Sequence, residues 1–119
     1  MRDNIVKNKS FGFAVRIVKL YQYLCEQKKE FVLSKQLLRA GTSVGAMVRE
    51  AEHAESKTDF KHKMAIAQKE INETIYWLEL LKETEYLTIE QFESINSDAT
   101  EIIKLITSIL KTTKSNLNN

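Results

Sequence analysis

Glu50 and His53 stand three residues apart, and so do Asp59 and His62, the only two histidines in the chain. On a helix that spacing sets a carboxylate and an imidazole on one face. Di-iron four-helix bundles use two such Glu-x-x-His pairs, completed by a glutamate from each of the other two helices. Both pairs here flank one turn. The segments expected to meet them are the start of the first helix and the end of the last. Those segments bring Lys7, Lys9, Lys111 and Lys114 and almost no acid. Such a centre would lack half its ligands, so no metal and no cofactor is expected. The pairs read instead as a polar hairpin, with Asp59 favoured near a helix N-terminus.

Other reactive groups are scarce. Cys25 is the single cysteine; it lies on or beside an apolar stripe, where a free thiol behaves as a small buried hydrophobe. Gly41 and Gly45 sit mid-helix rather than between a strand and a helix, so they do not form a phosphate-cradling loop. Tyr76 and Trp77 offer faces on which bases stack, yet at helical spacing they read first as core or subunit contacts. No catalytic residue emerges, and an enzyme is not expected.

The cations are the remaining signal. Residues 1–40 hold nine Lys/Arg against three Asp/Glu, whereas residues 41–119 hold nine against thirteen. Between Glu70 and Glu101 there are nine acids and one base, Lys82. Lys9, Arg16, Lys19, Lys35 and Arg39 are the candidate nucleic-acid contacts, with Lys7, Lys28 and Lys29 in the same third. Arg16 and Lys19 share one helix face, and Lys35 and Arg39 share another. Such clusters attract phosphate without reading sequence; an oligomeric scaffold that binds another protein and no nucleic acid is the alternative reading of the same residues. Complementary patches on one chain also suit head-to-tail contacts, which close into a ring when the rotation permits.

The elements that must carry these groups are helices. The 119 residues include no proline and three glycines, too few turn formers for a sandwich or barrel. Phe60, Met64, Ala67, Ile71, Thr74, Leu78 and Leu81 step by fours and threes, and Ser56 with Asp59 supplies a cap. Phe92, Ile95, Ala99, Ile102, Ile106 and Ile109 form a second such stripe. Thr88 with Gln91 gives its capping box, and Leu87 with Phe92 its hydrophobic staple. In the first helix the stripe is read as Phe11, Ala14, Val18, Tyr21 and Cys25, with Ile17 and Leu24 alongside. In the second it is Leu37, Gly41, Val44, Val48 and Ala51. That stripe is small-sided, and Gly41, Ser43 and Gly45 are expected to form a helix-packing motif that offsets the cost of mid-helix glycine.

Short connections then give one all-α domain over 1–119, an antiparallel up-down-up-down four-helix bundle. The helices are expected at about 10–28, 35–54, 57–84 and 89–113, with the tail 114–119 disordered. No stretch is long and apolar enough to span a bilayer, so no membrane contact is expected. The polar N-terminus and the lone cysteine point to the cytoplasm.

From Leu37 to Glu50 the chain reads LLRAGTSVGAMVRE. That run, with Ser56, Asp59-Phe60 and Trp77-Leu78-Glu79, resembles the four-helix bundle proteins related to the 23S-rRNA intervening-sequence proteins. The resemblance extends from about Phe11 to Leu110. Where family members usually read Asn-Ile-Ala-Glu, this chain has Met47-Val48-Arg49-Glu50 and keeps only the glutamate. The resemblance implies a non-catalytic bundle. Relatives that serve diversity-generating retroelements form ring-shaped pentamers whose basic surfaces contact nucleic acid and a reverse transcriptase. A homopentamer, an RNA or DNA partner and a reverse-transcriptase partner are thus what the resemblance implies here.

Overall fold

A computed structural model describes the backbone of residues 2–118 and the side chains of residues 5–115. Four helices follow in order: α1 Arg2–Glu26, α2 Leu33–Glu52, α3 Lys57–Glu83 and α4 Ile89–Asn118. Each helix packs against two neighbours, α1 on α2, α2 on α3, α3 on α4 and α4 on α1. Ion pairs fix the direction: Lys9 meets Glu101 while Arg16 meets Asp98, so α1 and α4 run antiparallel. The result is a rod of 51 × 22 × 20 Å.

The stripes of α3 and α4 lie where their periodicity puts them. Met64, Ala67, Ile71, Thr74, Leu78 and Leu81 are buried, as are Phe92, Ile95, Ala99, Ile102, Ile106 and Ile109. The polar member, Thr74, donates its hydroxyl to the Glu70 carbonyl at 2.8 Å, so its burial strands no polar group. The α4 capping box is reciprocal. Gln91 N–H donates to Thr88 Oγ1 at 3.1 Å, and Thr88 N–H donates to Gln91 Oε1 at 2.9 Å.

α1 differs from expectation in two ways. It begins at Arg2 rather than Ser10, and its core stripe is Val6, Ser10, Phe13, Ile17 and Leu24. Phe11 and Val18, read as core, are 53% and 38% exposed. The helix has apolar residues on two faces, and periodicity alone selected the wrong one. α4 continues to Asn118, so most of the tail expected to be disordered is helical; Asn119 lies outside the described residues.

The small side of α2 receives α1. A Cβ built on Gly41 would stand 2.7 Å from Ile17 Cγ1, and one on Gly45 would stand 3.2 Å from the Ser10 carbonyl oxygen. Ser43 turns away from that contact and donates to the Arg39 carbonyl of its own helix at 2.6 Å. Gly41 and Gly45 therefore set the α1–α2 separation, and Ser43 does not.

Candidate functional site

Three of the five candidate cations are engaged within the subunit. Lys9 pairs with Glu101, whose hydrogen bond and charge raise the ammonium pKa above its ordinary value. Arg16 donates from Nη1 to Asp98 Oδ2 at 2.7 Å and to the Ser94 carbonyl at 3.3 Å, and from Nη2 to Ser94 Oγ at 3.0 Å. Arg39 bridges α2 to α3 through Glu70 at 3.2 Å and through Glu73, which also accepts from Trp77 Nε1 at 3.0 Å. Lys7 outside that set meets Glu52 at 3.3 Å. Two α1 cations, Lys9 and Arg16, are thus laid against acids of α4, and Lys7 against an acid of α2.

The cations without an ion pair among the described residues include Lys19, Lys28, Lys29 and Lys35. Lys19 borders a groove of about 500 Å³ between α1 and α4, where Glu90 stands on the opposite wall. Lys28, Lys29 and Lys35 belong to the α1–α2 turn and the first turn of α2. The candidates are therefore not one patch: the structure leaves Lys19 and Lys35 available and binds up Lys9, Arg16 and Arg39.

The α1–α2 turn is built tightly. Lys29 takes a left-handed conformation, φ 55°, and Glu30 N–H reaches back six residues to the Leu24 carbonyl at 3.0 Å, which closes the C-terminus of α1. Glu30 is 8% exposed. Its carboxylate accepts from the backbone N–H of Val32 at 3.1 Å, Leu33 at 3.0 Å and Ser34 at 2.7 Å, and Ser34 Oγ donates to the Glu30 carbonyl at 2.7 Å. Burial by itself would raise this carboxyl, but the donors of Leu33, Ser34 and Val32 outweigh it and hold the pKa below the ordinary value. Glu30 is not legible as a cap in the sequence, because capping residues are usually short. Here the acid caps from outside the helix, and Ser34 four residues on was the available clue.

With its backbone fixed in this way, the turn presents Phe31 at 57% and Val32 at 71% exposure. A second apolar surface runs along the outer side of α1, where Phe11, Val15 and Val18 are exposed. The Arg49 guanidinium lies 5.0 Å from the Phe11 ring centroid, a cation–π contact that links this face to α2.

The opposite end of the bundle carries the two histidine pairs. Asp59 accepts from Glu55 N–H and pairs with Lys63 at 3.1 Å, so that carboxylate caps the turn. The hydrogen bond from Lys63 is the largest cause lowering its pKa. His53 is the exposed C-cap of α2 and His62 is exposed on α3. No three His, Cys, Asp or Glu side chains gather at metal-binding distance among the described residues. A cavity of about 460 Å³ beside His53 has an apolar floor of Val6, Val48, Ala51 and Met64. No serine, threonine, cysteine or lysine lines it, and its one carboxylate, Glu52, is paired with Lys7. No helix among the described residues is long and apolar enough to cross a membrane.

Comparison with known proteins agrees with this architecture. No match was found among curated proteins. The chain is 64% identical to a protein of unknown function from the S23 ribosomal protein family of Bacteroides thetaiotaomicron. Its crystal structure superposes with a TM-score of 0.93, covering 93% of this chain and 99% of that one. Residues 2–108 match the family of 23S rRNA-intervening sequence proteins. A match over nearly the whole chain, joined to the same fold at that identity, makes the protein a member of the 23S rRNA-intervening sequence protein family.

Proposed function

We propose that the protein is a non-enzymatic, self-associating bundle that carries nucleic acid on the exposed lysines of each subunit's α1–α2 turn. The observation behind self-association is the second apolar face of α1: Phe11, Val15 and Val18 are exposed along one side of a helix whose other side is already in the core. Contiguous apolar surface of this kind marks association sites. α3 lies diagonally across the bundle and exposes Tyr76, whose ring meets Trp77 edge-on at 5.0 Å. An α1 face on one side and an α3 aromatic on the other suit a heterologous contact that closes into a ring. Five subunits is the number that family resemblance favours. The lone cysteine suits a reducing compartment such as the cytoplasm.

Two variants test the contact. Val15→Glu spoils the α1 face and Tyr76→Glu the α3 face; each alone should be monomeric by light scattering. Mixed, they should form dimers and stop there, because each retains the face the other lacks. If Tyr76→Glu assembles as well as wild type while Val15→Glu does not, the contact is two-fold and the ring reading fails. For nucleic acid the supporting feature is the set of unpaired lysines near the α1–α2 turn. Binding to RNA or DNA should weaken steeply as salt rises, and no binding at low salt would remove this half of the reading.

A further inference from the structure

The α1–α2 turn places a ring between cations. Lys28 and Lys29 precede Phe31, Lys35 follows it, and none of the three lysines has an ion-pair partner among the described residues. Phe31 and Val32 are both large and mostly exposed. The one acid between Lys28 and Lys35 is Glu30, and its carboxylate is directed inward onto three backbone amides. Those amides are therefore unavailable to a ligand, and any anion bound here is held by the lysines. The left-handed Lys29 and the Glu30 contacts hold the Phe31 backbone in place without a ligand, so little ordering remains to be done on binding.

We infer that this turn is a contact for single-stranded nucleic acid, with Phe31 as a stacking platform for one base and Lys28, Lys29 and Lys35 on the flanking phosphates. The inference rests on the nucleic-acid reading above and sharpens it. A single strand alternates phosphate charge with open base faces, and cation, ring and cation follow in that order here. A duplex keeps its base faces stacked against each other, so Phe31 has nothing to receive from it. Stacking on an aromatic ring tolerates any base, and lysine contacts to phosphate carry no sequence information. Selection is therefore for strandedness rather than sequence. An acidic protein segment would satisfy the same charges. A polyacidic segment, however, offers no ring to stack on Phe31, so the Phe31→Ala variant separates the two. Repetition of the turn around an assembly would multiply a weak single contact by avidity.

The test is fluorescence anisotropy with labelled oligo-uridylate, oligo-thymidylate and a duplex of the same length, at low and moderate salt. Wild type should favour the single strands. Phe31→Ala should weaken single-strand binding about tenfold or more and leave duplex binding unchanged, while Phe31→Trp should restore it. Lys28→Ala, Lys29→Gly and Lys35→Ala together should weaken binding to all probes and flatten the salt dependence; glycine at 29 keeps the left-handed turn. These side chains are exposed, so circular dichroism should report an unchanged fold. Single-strand binding that survives Phe31→Ala but not the lysine changes would overturn the stacking site while sparing nucleic-acid association. No binding by wild type would instead sink the association itself. Equal competition by poly-glutamate would show that the turn accepts any polyanion and overturn the assignment.

Discussion

Gly12, Gly41 and Gly45 form an internal series in which one substitution meets three environments. Replacing a mid-helix glycine by alanine contributes about 1 kcal/mol through helix propensity. At Gly12 an added Cβ meets nothing within 4 Å, so Gly12→Ala should stabilise by about that amount. At Gly41 the Cβ would lie 2.7, 2.8 and 3.0 Å from Ile17 Cγ1, Cγ2 and Cδ1, well inside the ~3.5–4.0 Å of a favourable carbon contact. Ile17 is fully buried, and a β-branched side chain in a helix has one strongly preferred rotamer. Its γ-carbons cannot swing aside, so α1 and α2 must separate. Overpacking of this kind costs about 1–3 kcal/mol, which exceeds the propensity gain at all but its lower limit. Gly45 lies between, because the nearest atom is the Ser10 carbonyl oxygen at 3.2 Å and a shift of a few tenths of an ångström relieves it. Urea denaturation at one fixed protein concentration should rank Gly12→Ala above wild type, Gly45→Ala near it and Gly41→Ala below it. The cycle with Ile17→Ala sharpens the test: once the isoleucine branches are gone, Gly41→Ala should become stabilising by about 1 kcal/mol. If Gly41→Ala matches Gly12→Ala in the wild-type background, the account of the α1–α2 contact is wrong.

Three further variants test the polar contacts. Glu30→Ala should cost about 1–3 kcal/mol at neutral pH, since three backbone amides lose a charged acceptor. The folded-state pKa of Glu30 lies below its ordinary value. Its contribution is therefore complete above the unfolded carboxyl pKa of about 4.3 and is lost as pH falls through the folded value. Urea titrations should show the wild-type-minus-variant difference constant down to about pH 5 and shrinking in stronger acid; a difference that grows in acid would contradict the geometry. Arg39→Ala should cost about 0.5–1 kcal/mol, because it leaves Glu70, whose side chain is only 14% exposed, without its cation. It should also alter Trp77 emission through their shared partner Glu73. Lys9→Ala, at a pair exposed on both sides, should change neither stability nor fluorescence.

What could be read in the sequence was whatever one helix decides by itself. The stripe of α3 and the Thr88–Gln91 box depend on spacings within a few residues, and both stand where those spacings place them. The stripe of α1 could not be settled in this way. Phe11, Val15 and Val18 are as apolar as Phe13 and Ile17, and only the position of α2 and α4 decides which set is inside. Phe13 was missed for that reason. The charges were misjudged by the same route. Counting along the chain gives a basic N-terminal third and an acidic stretch from Glu70 to Glu101, but not that an antiparallel α1–α4 contact sets Lys9 and Arg16 on Glu101 and Asp98. Glu30 escaped notice because its caps depend on a turn whose path local propensity does not specify.

That internal pairing alters what drives the proposed assembly. If the cations of α1 already face the acids of α4, a neighbouring subunit finds little net charge along that side, and attraction between opposite patches is weak. Exposed ion pairs contribute little in any case. The apolar face of α1 is then the stronger candidate for the contact, and it lies along the side of the rod. The α1–α2 turn lies at its end. A ring closed through the sides of its rods leaves their ends uncovered, so self-association and the proposed strand contact do not compete for surface. With every subunit in the same orientation about the ring axis, the Lys28–Lys35 turns recur at equal intervals along one rim. A strand long enough to reach two of them would bind far more tightly than one that reaches a single turn. Affinity should therefore rise abruptly with oligonucleotide length in the assembled protein, and only gradually in the monomeric Val15→Glu variant. A smooth length dependence in both would mean that the turns act independently of the ring.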